Sequence, residues 1–191
     1  MNHLITNYPA LQKPKRKNNP EQLRHQLIIC AKDIMLKDGI AHLSLQKVAD
    51  LAGVSKGGLF HHFKNKDELI ISVFELFIAQ VNTAIMAQVT DGFGAFTKAY
   101  INVLCRDNKI GLMSDWAGLI RAMTADNQAN DLWLNWLNQK LTAHATTDSD
   151  IRLMAVRCAI DGAWLNGVTN DELHKMQAYL LGLIENMAKT E

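Results

Sequence analysis

The chain has 191 residues and a mass of 21.4 kDa, a size that suits one or two modest domains. Apolar residues make up 48% of it, enough for a packed core, which excludes a disordered or low-complexity protein. No apolar run reaches the roughly 18 residues that a bilayer span needs, and residues 1–17 lack the apolar centre of a signal peptide. Cys30, Cys105 and Cys158 lie far apart, which argues against a disulfide scaffold and suits a reducing cytoplasm.

Charge is distributed unevenly along the chain, although the net charge is only +1. Residues 1–66 contain 11 Lys and Arg against 4 Asp and Glu, a balance of +7. Residues 67–191 contain 9 against 15, a balance of −6. A basic first third on an acidic remainder indicates that one end meets a polyanion and that the rest has another role.

Residues 1–18 have the composition of a flexible arm. A basic cluster surrounds Pro14 and consists of Lys13, Lys15, Arg16 and Lys17. Two interpretations stay open for it: a solvated tail, or an arm that touches phosphates or a minor groove.

The first predicted helix begins after the arm. Asn19 can cap it, Pro20 fits the first helical position and Gln22 can close a capping box. Apolar residues then recur at three- and four-residue spacing until Gly39, which ends the helix. The repeating positions are Leu23, Leu27, Ala31 and Ile34.

Three more helix starts follow within the next thirty residues. Ser44 caps a short second helix, Gly53 breaks it, and Ser55 caps a third helix that we extend to about residue 63. Asn65 begins a long fourth helix, with Glu68 three residues on as a capping-box partner.

The rest of the chain keeps the helical pattern to its end. Helices are predicted near residues 93–107, 114–125, 127–145, 149–167 and 170–188, and Thr169 with Glu172 forms a capping box for the last. No stretch alternates apolar and polar residues for long enough to suggest a strand. The prediction is therefore an all-α protein of about nine helices, with a three-helix head at residues 19–66 and a larger helical domain at residues 67–191.

Residues 44–63, SLQKVADLAGVSKGGLFHHF, carry the most specific signal in the chain. Two short helices joined at Gly53 have the spacing of a helix-turn-helix motif, and Gly53 can adopt the positive φ of its tight turn. Small Ala49 lets the two helices approach, while Val48, Val54 and Leu59 supply an apolar wedge between them. In such motifs the second helix enters the major groove of DNA and the first crosses the backbone.

Residues 44–69 also resemble the DNA-binding signature of the tetracycline-repressor (TetR) family of bacterial regulators. The matching segments are Ala52-Gly53-Val54-Ser55, Gly57, Leu59-Phe60, His62-Phe63 and Lys66. The resemblance covers roughly residues 23–70, and beyond them the helices match the family only in number, order and length. The family usually has Tyr where Phe60 stands, and its hydroxyl bonds a DNA phosphate. Either His61 or His62 takes over that contact here, or one contact is missing.

Most of the candidate DNA-binding residues occupy the starts of the second, third and fourth helices, and the others follow within the third helix. Ser44 and Ser55 either only cap their helices or also direct positive helix ends at phosphates. Lys56 is the candidate for a guanine edge, with a solvated surface lysine as the alternative. The full candidate set is Ser44, Gln46, Lys47, Ser55, Lys56, Gly57, Gly58, Phe60, His61, His62 and Lys66.

Gly57-Gly58 is unusual in a helix, because each glycine in a helix interior lowers helix stability by roughly 1 kcal/mol relative to alanine. We interpret the pair as a place where the helix backbone comes close to the groove or the sugar-phosphate chain, since the family keeps a glycine at position 57. The alternative is a poorly formed first turn with no purpose.

No metal, cofactor or catalytic site is predicted. His61 and His62 are adjacent in a helix and point about 100° apart, so they do not easily ligate one ion. We find no nucleophile-base constellation, no phosphate-cradling glycine loop and no pair of carboxylates in an apolar setting. An enzyme is therefore not expected.

The second half contains several large or polarizable residues that either fill a core or line an effector pocket. An effector pocket would be mainly apolar, with a few polar groups turned inward. The candidates for effector binding are Phe93, Phe96, Met113, Trp116, Arg121, Trp133, Trp136, Asp161 and Trp164.

The stretch 149–168 is apolar nearly all round, which predicts a helix buried on every side. The last helix also has two apolar faces, so the pair is expected to pack both inward and against a partner. The resemblance implies a two-fold dimer with a four-helix interface. The candidate interface residues are Ile151, Met154, Cys158, Leu165, Leu173, Met176, Leu180, Leu183 and Met187.

The resemblance implies a homodimeric transcriptional repressor that is bound to palindromic double-stranded DNA at the bacterial nucleoid. A small apolar or amphipathic effector would enter the C-terminal domain, and the fourth helix would pass the change to the head. The alternative is a DNA-binding dimer without an inducer, either an architectural regulator or one controlled by a protein partner, with a core filled by side chains.

Overall fold

The computed structural model describes residues 19–190, apart from the side chains of Thr124, Ala125 and Trp164. The predicted arm therefore lies outside the described residues. Ten α-helices and a short 3₁₀ turn, Ile40–His42, make up the described chain, which contains no strand. The helices are α1 Pro20–Asp38, α2 Leu45–Ala52, α3 Lys56–Phe60, α4 Lys66–Met86, α5 Ala95–Arg106, α6 Trp116–Ala125, α7 Asn127–Ala143, α8 Ala145–Asp148, α9 Ile151–Asn166 and α10 Asn170–Ala188.

The predicted N-caps are confirmed by hydrogen bonds to backbone N–H groups. Ser44 Oγ accepts from Lys47 N at 3.2 Å, and Ser55 Oγ accepts from Gly58 N at 3.1 Å. Asn19, Asn65 and Thr169 also cap their helices, and the Thr169 capping box is complete. These hydrogen bonds satisfy backbone N–H groups of the first helical turn, which have no acceptor inside the helix.

Two elements differ from the prediction. Helix α3 ends at Phe60, three residues early. The predicted helix 127–145 is divided at His144 into α7 and the one-turn α8. The break follows from a tertiary contact, because α8 presents Asp148 to the start of α5.

The head is built from α1, α2 and α3 around the predicted wedge. Val48, Ala49 and Leu59 are fully buried and Val54 is half-buried. Gly53 has φ 68°, the left-handed conformation that lets the chain turn sharply between α2 and α3. The start of α4 is tied to α1 by Arg24, whose guanidinium lies 4.6 Å from the Phe63 ring centroid and whose Nη2 donates to Ser72 Oγ at 3.1 Å.

Helix α4, Lys66–Met86, runs from the head into the second half. By length and composition it is the one helix among the described residues that could cross a membrane, although polar residues such as Glu75, Gln80 and Asn82 interrupt its apolar sequence. Core helices of globular proteins often have the same length and composition. Helix α4 packs against α1, α5 and α7, as a core helix does. Its buried side chains include Val73, Phe74, Phe77 and Val81.

Helix α5 lies at the centre of the second half, against α4, α8, α9 and α10. Its Phe96 and Tyr100 are fully buried. Gly94 begins the helix with φ 67°, and a Cβ there would lie 2.9 Å from Ile184 Cγ2. A glycine is therefore required where α5 starts beneath α10.

Within a single chain α9 is not buried on every side, and burial all round stays a prediction because it includes packing against a partner. Ile151, Leu165 and Met154 are 70%, 64% and 51% exposed. On α10, Leu173 and Leu180 are buried in the chain's own core. These two leucines therefore face inward and are not available to a partner.

Candidate DNA-binding surface and C-terminal cavity

Most of the predicted DNA-binding residues lie at or near the N-terminal ends of α2, α3 and α4, whereas Phe60, His61 and His62 lie at the C-terminal end of α3 or just after it. Gln46, Lys47, Ser55, Lys56, Gly57, Phe60 and His61 are exposed, and Ser44, Gly58, His62 and Lys66 are half-buried. Between residues 39 and 66 the chain contains four lysines and a single acid, Asp50. Helix N-termini and lysines both favour phosphate oxygens, so this surface suits a polyanion.

Two of these side chains already have partners inside the head. Gln46 Nε2 donates to Asp50 Oδ1 at 2.8 Å, one turn along α2. Lys56 Nζ lies 5.8 Å from the Phe60 ring centroid, within range of a cation–π contact. Phe60 itself is 44% exposed, and its ring has no hydroxyl to offer a phosphate.

The two glycines of α3 leave room on the helix surface. A Cβ at Gly57 would lie 3.9 Å from Ser55 Oγ, and one at Gly58 would lie 3.4 Å from the same atom. Neither contact is tight, and neither glycine has positive φ. Among residues 19–190, therefore, nothing requires glycine at these two positions.

A cavity of about 360 Å³ lies between α6, α7 and α9. Its walls are mostly apolar, and Trp133 and Asp161 are the predicted effector residues that line it. The other lining residues are Ile120, Met123, Asn130, Leu134, Cys158, Gly162 and Leu165. Its volume lies at the lower end of the range of about 300–1,000 Å³ for small-molecule pockets.

Asp161 is the acidic residue of this cavity. The Tyr100 hydroxyl donates a short hydrogen bond to its Oδ1 from the buried side of α5. Burial raises the pKa of Asp161 to about 6, although the Tyr100 hydrogen bond and the charge of Arg157 act in the opposite direction. Burial also raises the pKa of Tyr100, which keeps its proton and its role as donor.

The positive charge nearest this carboxylate along α9 is already engaged elsewhere. Arg157 Nη1 donates to Thr97 Oγ1 at 2.6 Å and lies 3.9 Å from Asp148 Oδ1. Both side chains of this ion pair are buried. Burial lowers the pKa of Arg157, and the Asp148 carboxylate counters that effect.

The other predicted effector residues whose side chains the structure describes do not line the cavity. Phe96 and Trp136 are core residues, with ring centroids 6.5 Å apart, and Trp116 packs on Phe77 at 4.9 Å. Met113 and Arg121 line a separate pocket of about 190 Å³ near Val168. The Phe93 ring lies under the Arg152 guanidinium, 5.7 Å from its centroid, and the Trp164 side chain lies outside the described residues.

Several lining residues were missed because their apolar side chains look like ordinary core. A usable signal does exist in their spacing. Asn130, Trp133 and Leu134 share one helix face, as do Cys158, Asp161, Gly162 and Leu165. Following these faces outward from Trp133 and Asp161 would have found most of the cavity wall.

The cavity walls pack directly against the helices that carry the head. Helix α6, which supplies Ile120 and Met123, contacts α1. Behind the cavity, Trp133 lies 6.3 Å from Phe77 of α4. Trp136 Nε1 on the same helix donates to Asn82 Oδ1 of α4 at 3.2 Å.

The predicted dimer residues divide between two environments. Ile151, Met154, Cys158 and Leu165 form an exposed apolar stripe on α9, while Met176, Leu183 and Met187 on α10 are half-buried. Cys158 and Leu165 also line the cavity, so the stripe and the cavity share part of α9.

Comparisons with known proteins agree with this architecture. Residues 30–73 match the family model described as bacterial regulatory proteins, tetR family, and residues 94–185 match that of the tetracyclin repressor-like C-terminal domain. The chain belongs to the TetR family of transcriptional regulators, which is a family of regulators and not of enzymes.

The curated relatives are similar over about a third of this chain. The HTH-type transcriptional regulator TtgR of Pseudomonas putida is 34% identical over 61 residues, which cover 32% of this chain and 29% of that protein. AcrR of Shigella flexneri is 31% identical over 62 residues, covering 32% and 29%. The matches thus span less than a third of these relatives.

Solved structures share the fold over most of the chain. A TetR transcription regulator from Haloarcula marismortui has a TM-score of 0.71 at 14% identity, covering 87% of this chain and 98% of that one. A transcriptional regulator from Rhodococcus sp. Rha1 has a TM-score of 0.70 at 18% identity, covering 86% and 97%. The multidrug binding protein EbrR complexed with ethidium has a TM-score of 0.66 at 19% identity, covering 85% and 98%.

Proposed function

We propose that this protein is a homodimeric repressor that leaves a palindromic operator when a small apolar or amphipathic effector binds its C-terminal domain. The observation that carries the DNA-binding part is the exposed cluster of lysines and capped helix ends at α2, α3 and α4. The proposed contacts are those of the predicted residue set, with Lys56 on a base edge and Ser44, Ser55, Lys47 and Lys66 on phosphates.

The proposed dimer forms through the exposed apolar stripe of α9 and the half-buried face of α10. A stripe with Ile151 and Leu165 more than half exposed is costly in water, and a second copy would bury it. Two-fold symmetry would place two α3 helices about one DNA turn apart, which suits two half-sites of a palindrome.

The cavity between α6, α7 and α9 is the proposed effector site. Its roughly 360 Å³ of space argues against the alternative of a domain filled by side chains and used only for dimerisation. EbrR, which shares this fold, is described as a multidrug binding protein in complex with ethidium and with malachite green. By analogy, the cavity here would take a compound of comparable chemistry.

The proposed coupling passes through two contacts. Helix α6 lines the cavity and packs on α1, and α7 lines the cavity and packs on α4. An effector that shifts α6 or α7 would therefore change the position of the head. A 100-fold preference of the effector for the DNA-incompetent state supplies about 2.7 kcal/mol of coupling. The protein would act in the cytoplasm, bound to the nucleoid in its repressing state.

Fluorescence anisotropy with the DNA upstream of the protein's own gene tests this proposal. We expect nanomolar binding to one palindromic segment, saturation at a multiple of a dimer, and a steep fall in affinity with salt. Equal, weak binding to every segment would contradict an operator in this region. Effectors are then screened by release of the labelled DNA, and the reciprocal loss of effector affinity on DNA addition is measured.

A further inference from the structure

Among the described carboxylates beside the cavity, Asp161 forms no ion pair and is influenced only by the more distant charge of Arg157. Asp148 and Arg157 compensate each other, and the Arg157 guanidinium also donates to Thr97. Asp161 has one neutral donor, the Tyr100 hydroxyl, on Oδ1. Among the described residues, no donor reaches Oδ2, and no lysine or arginine lines the cavity.

The rest of the cavity suits the body of an organic cation. Ile120, Met123 and Leu134 offer apolar contact, and the indole of Trp133 offers an aromatic surface. Cations bind favourably over aromatic faces, most of all over an indole. A buried carboxylate without a counter-charge is costly, and a bound cation would remove that cost.

We infer that the cavity between α6, α7 and α9 selects lipophilic organic cations, with the Asp161 carboxylate as counter-ion and Trp133 as aromatic wall. This inference rests on the proposed effector site and adds the charge of its ligand. A neutral ligand of the same shape would fill the space between the apolar walls but would leave the Asp161 carboxylate without a counter-charge. We therefore expect it to bind more weakly.

Two compounds of nearly equal shape test the inference. Methyltriphenylphosphonium is a cation, and triphenylphosphine oxide is its neutral counterpart. Isothermal titration calorimetry at pH 8 with the full chain gives both affinities. We expect the cation to bind at least about tenfold more tightly, as close charge pairs in partly desolvated sites commonly do.

Asp161→Asn is the decisive variant, because the asparagine Oδ1 still accepts the Tyr100 hydrogen bond. We expect it to bind the two compounds with similar affinity. Asp131→Asn is the matched control, since Asp131 is exposed on α7 one residue from the lining Asn130. It should keep the wild-type preference for the cation, whereas an equal loss in both variants would mean long-range attraction and overturn the inference.

The pH dependence provides a second readout. The ionisable groups that face Asp161 are Tyr100 from α5 and Arg157 with Cys158 from its own helix, and the lining residues of α6 and α7 carry no charge. Because the pKa of Asp161 is about 6, cation affinity should fall about tenfold from pH 8 to pH 5. It should stay flat in Asp161→Asn.

The outcomes separate this inference from the function on which it rests. If the neutral compound binds as tightly as the cation and releases operator DNA, effector control stands and the charge selection is wrong. If both compounds fail to bind or to change operator affinity while DNA binding persists, the cation inference is overturned and the effector-release proposal loses its support.

Discussion

The carboxylate of Asp148 accepts two hydrogen bonds from Thr97, one from its backbone N–H at 2.8 Å and one from its hydroxyl at 2.6 Å, across 51 residues of sequence. It also accepts from Phe96 N at 3.0 Å. Helix α5 has no capping side chain of its own at Gly94. Its first turn is therefore capped from α8, and the Asp148–Arg157 pair joins α5, α8 and α9.

Replacing Asp148 should be far more costly than replacing a local cap. In Asp148→Ala the first turn of α5 loses its acceptors and Arg157 stays buried without its counter-charge, so we expect a loss of about 3–5 kcal/mol in the free energy of unfolding. Asp126→Ala is the control, because Asp126 is exposed and accepts only locally from Ala129 N at 2.9 Å. It should cost about 1 kcal/mol in urea denaturation. Equal losses of stability in the two variants would contradict the role of Asp148 in joining α5, α8 and α9.

The ionisation of Asp161 should make stability fall as the pH rises. Its folded pKa of about 6 lies above the ordinary aspartate pKa of 3.8, so between these two values the folded chain binds more protons than the unfolded one. The free energy of unfolding should therefore decrease from pH 4 to pH 6.5 by about 2 kcal/mol more in the wild type than in Asp161→Asn. Parallel urea-denaturation profiles for the two proteins would refute this.

Gly58→Ala should raise thermal stability and weaken operator binding. Its Cβ has room within the chain, so the gain in helix stability is about 0.5–1 kcal/mol, while the added methyl obstructs close approach to DNA. Gly118→Ala, at an exposed position of α6 with nothing within 4 Å of the added Cβ, is the control. It should raise the melting temperature without changing DNA affinity. Tighter operator binding by Gly58→Ala would rule out the close-approach interpretation.

Phe60→Tyr should strengthen operator binding if the phosphate contact of the family is missing here. One recovered hydrogen bond of about 1 kcal/mol corresponds to roughly fivefold in affinity, measured by anisotropy at fixed salt. If His61 or His62 already makes the contact, Phe60→Tyr will bring no gain. His61→Ala or His62→Ala will then weaken binding in its place.

Met154→Asp should convert the proposed dimer into monomers. Met154 is 51% exposed on the α9 stripe, and a charge there would be buried without a partner on association. Leu51→Asp is the matched control, since Leu51 is 57% exposed on α2 and lies outside the stripe. Analytical ultracentrifugation gives the mass of each variant. A dimeric Met154→Asp would exclude α9 from the interface.

Features that depend on a few neighbouring residues could be read from the sequence. The caps at Ser44, Ser55 and Asn65, the left-handed Gly53 and the buried wedge of Val48 and Leu59 were all predicted and are present. Each depends on hydrogen bonds or side-chain spacing within one or two helical turns. The helix-turn-helix and its family resemblance are local for the same reason.

The sequence by itself determined the helices, their starts and the motif that presents lysines to a polyanion, because helix periodicity and capping act over a few residues. Only the tertiary structure decided which apolar faces point inward. Leu173 and Leu180 look like interface residues in sequence but lie in the core, while Ile151 and Leu165 are exposed. The pairing of Asp161 with Tyr100 and of Asp148 with the start of α5 likewise depends on which helices pack together. These partners are 51 to 61 residues apart in the sequence, a separation over which helix periodicity gives no information.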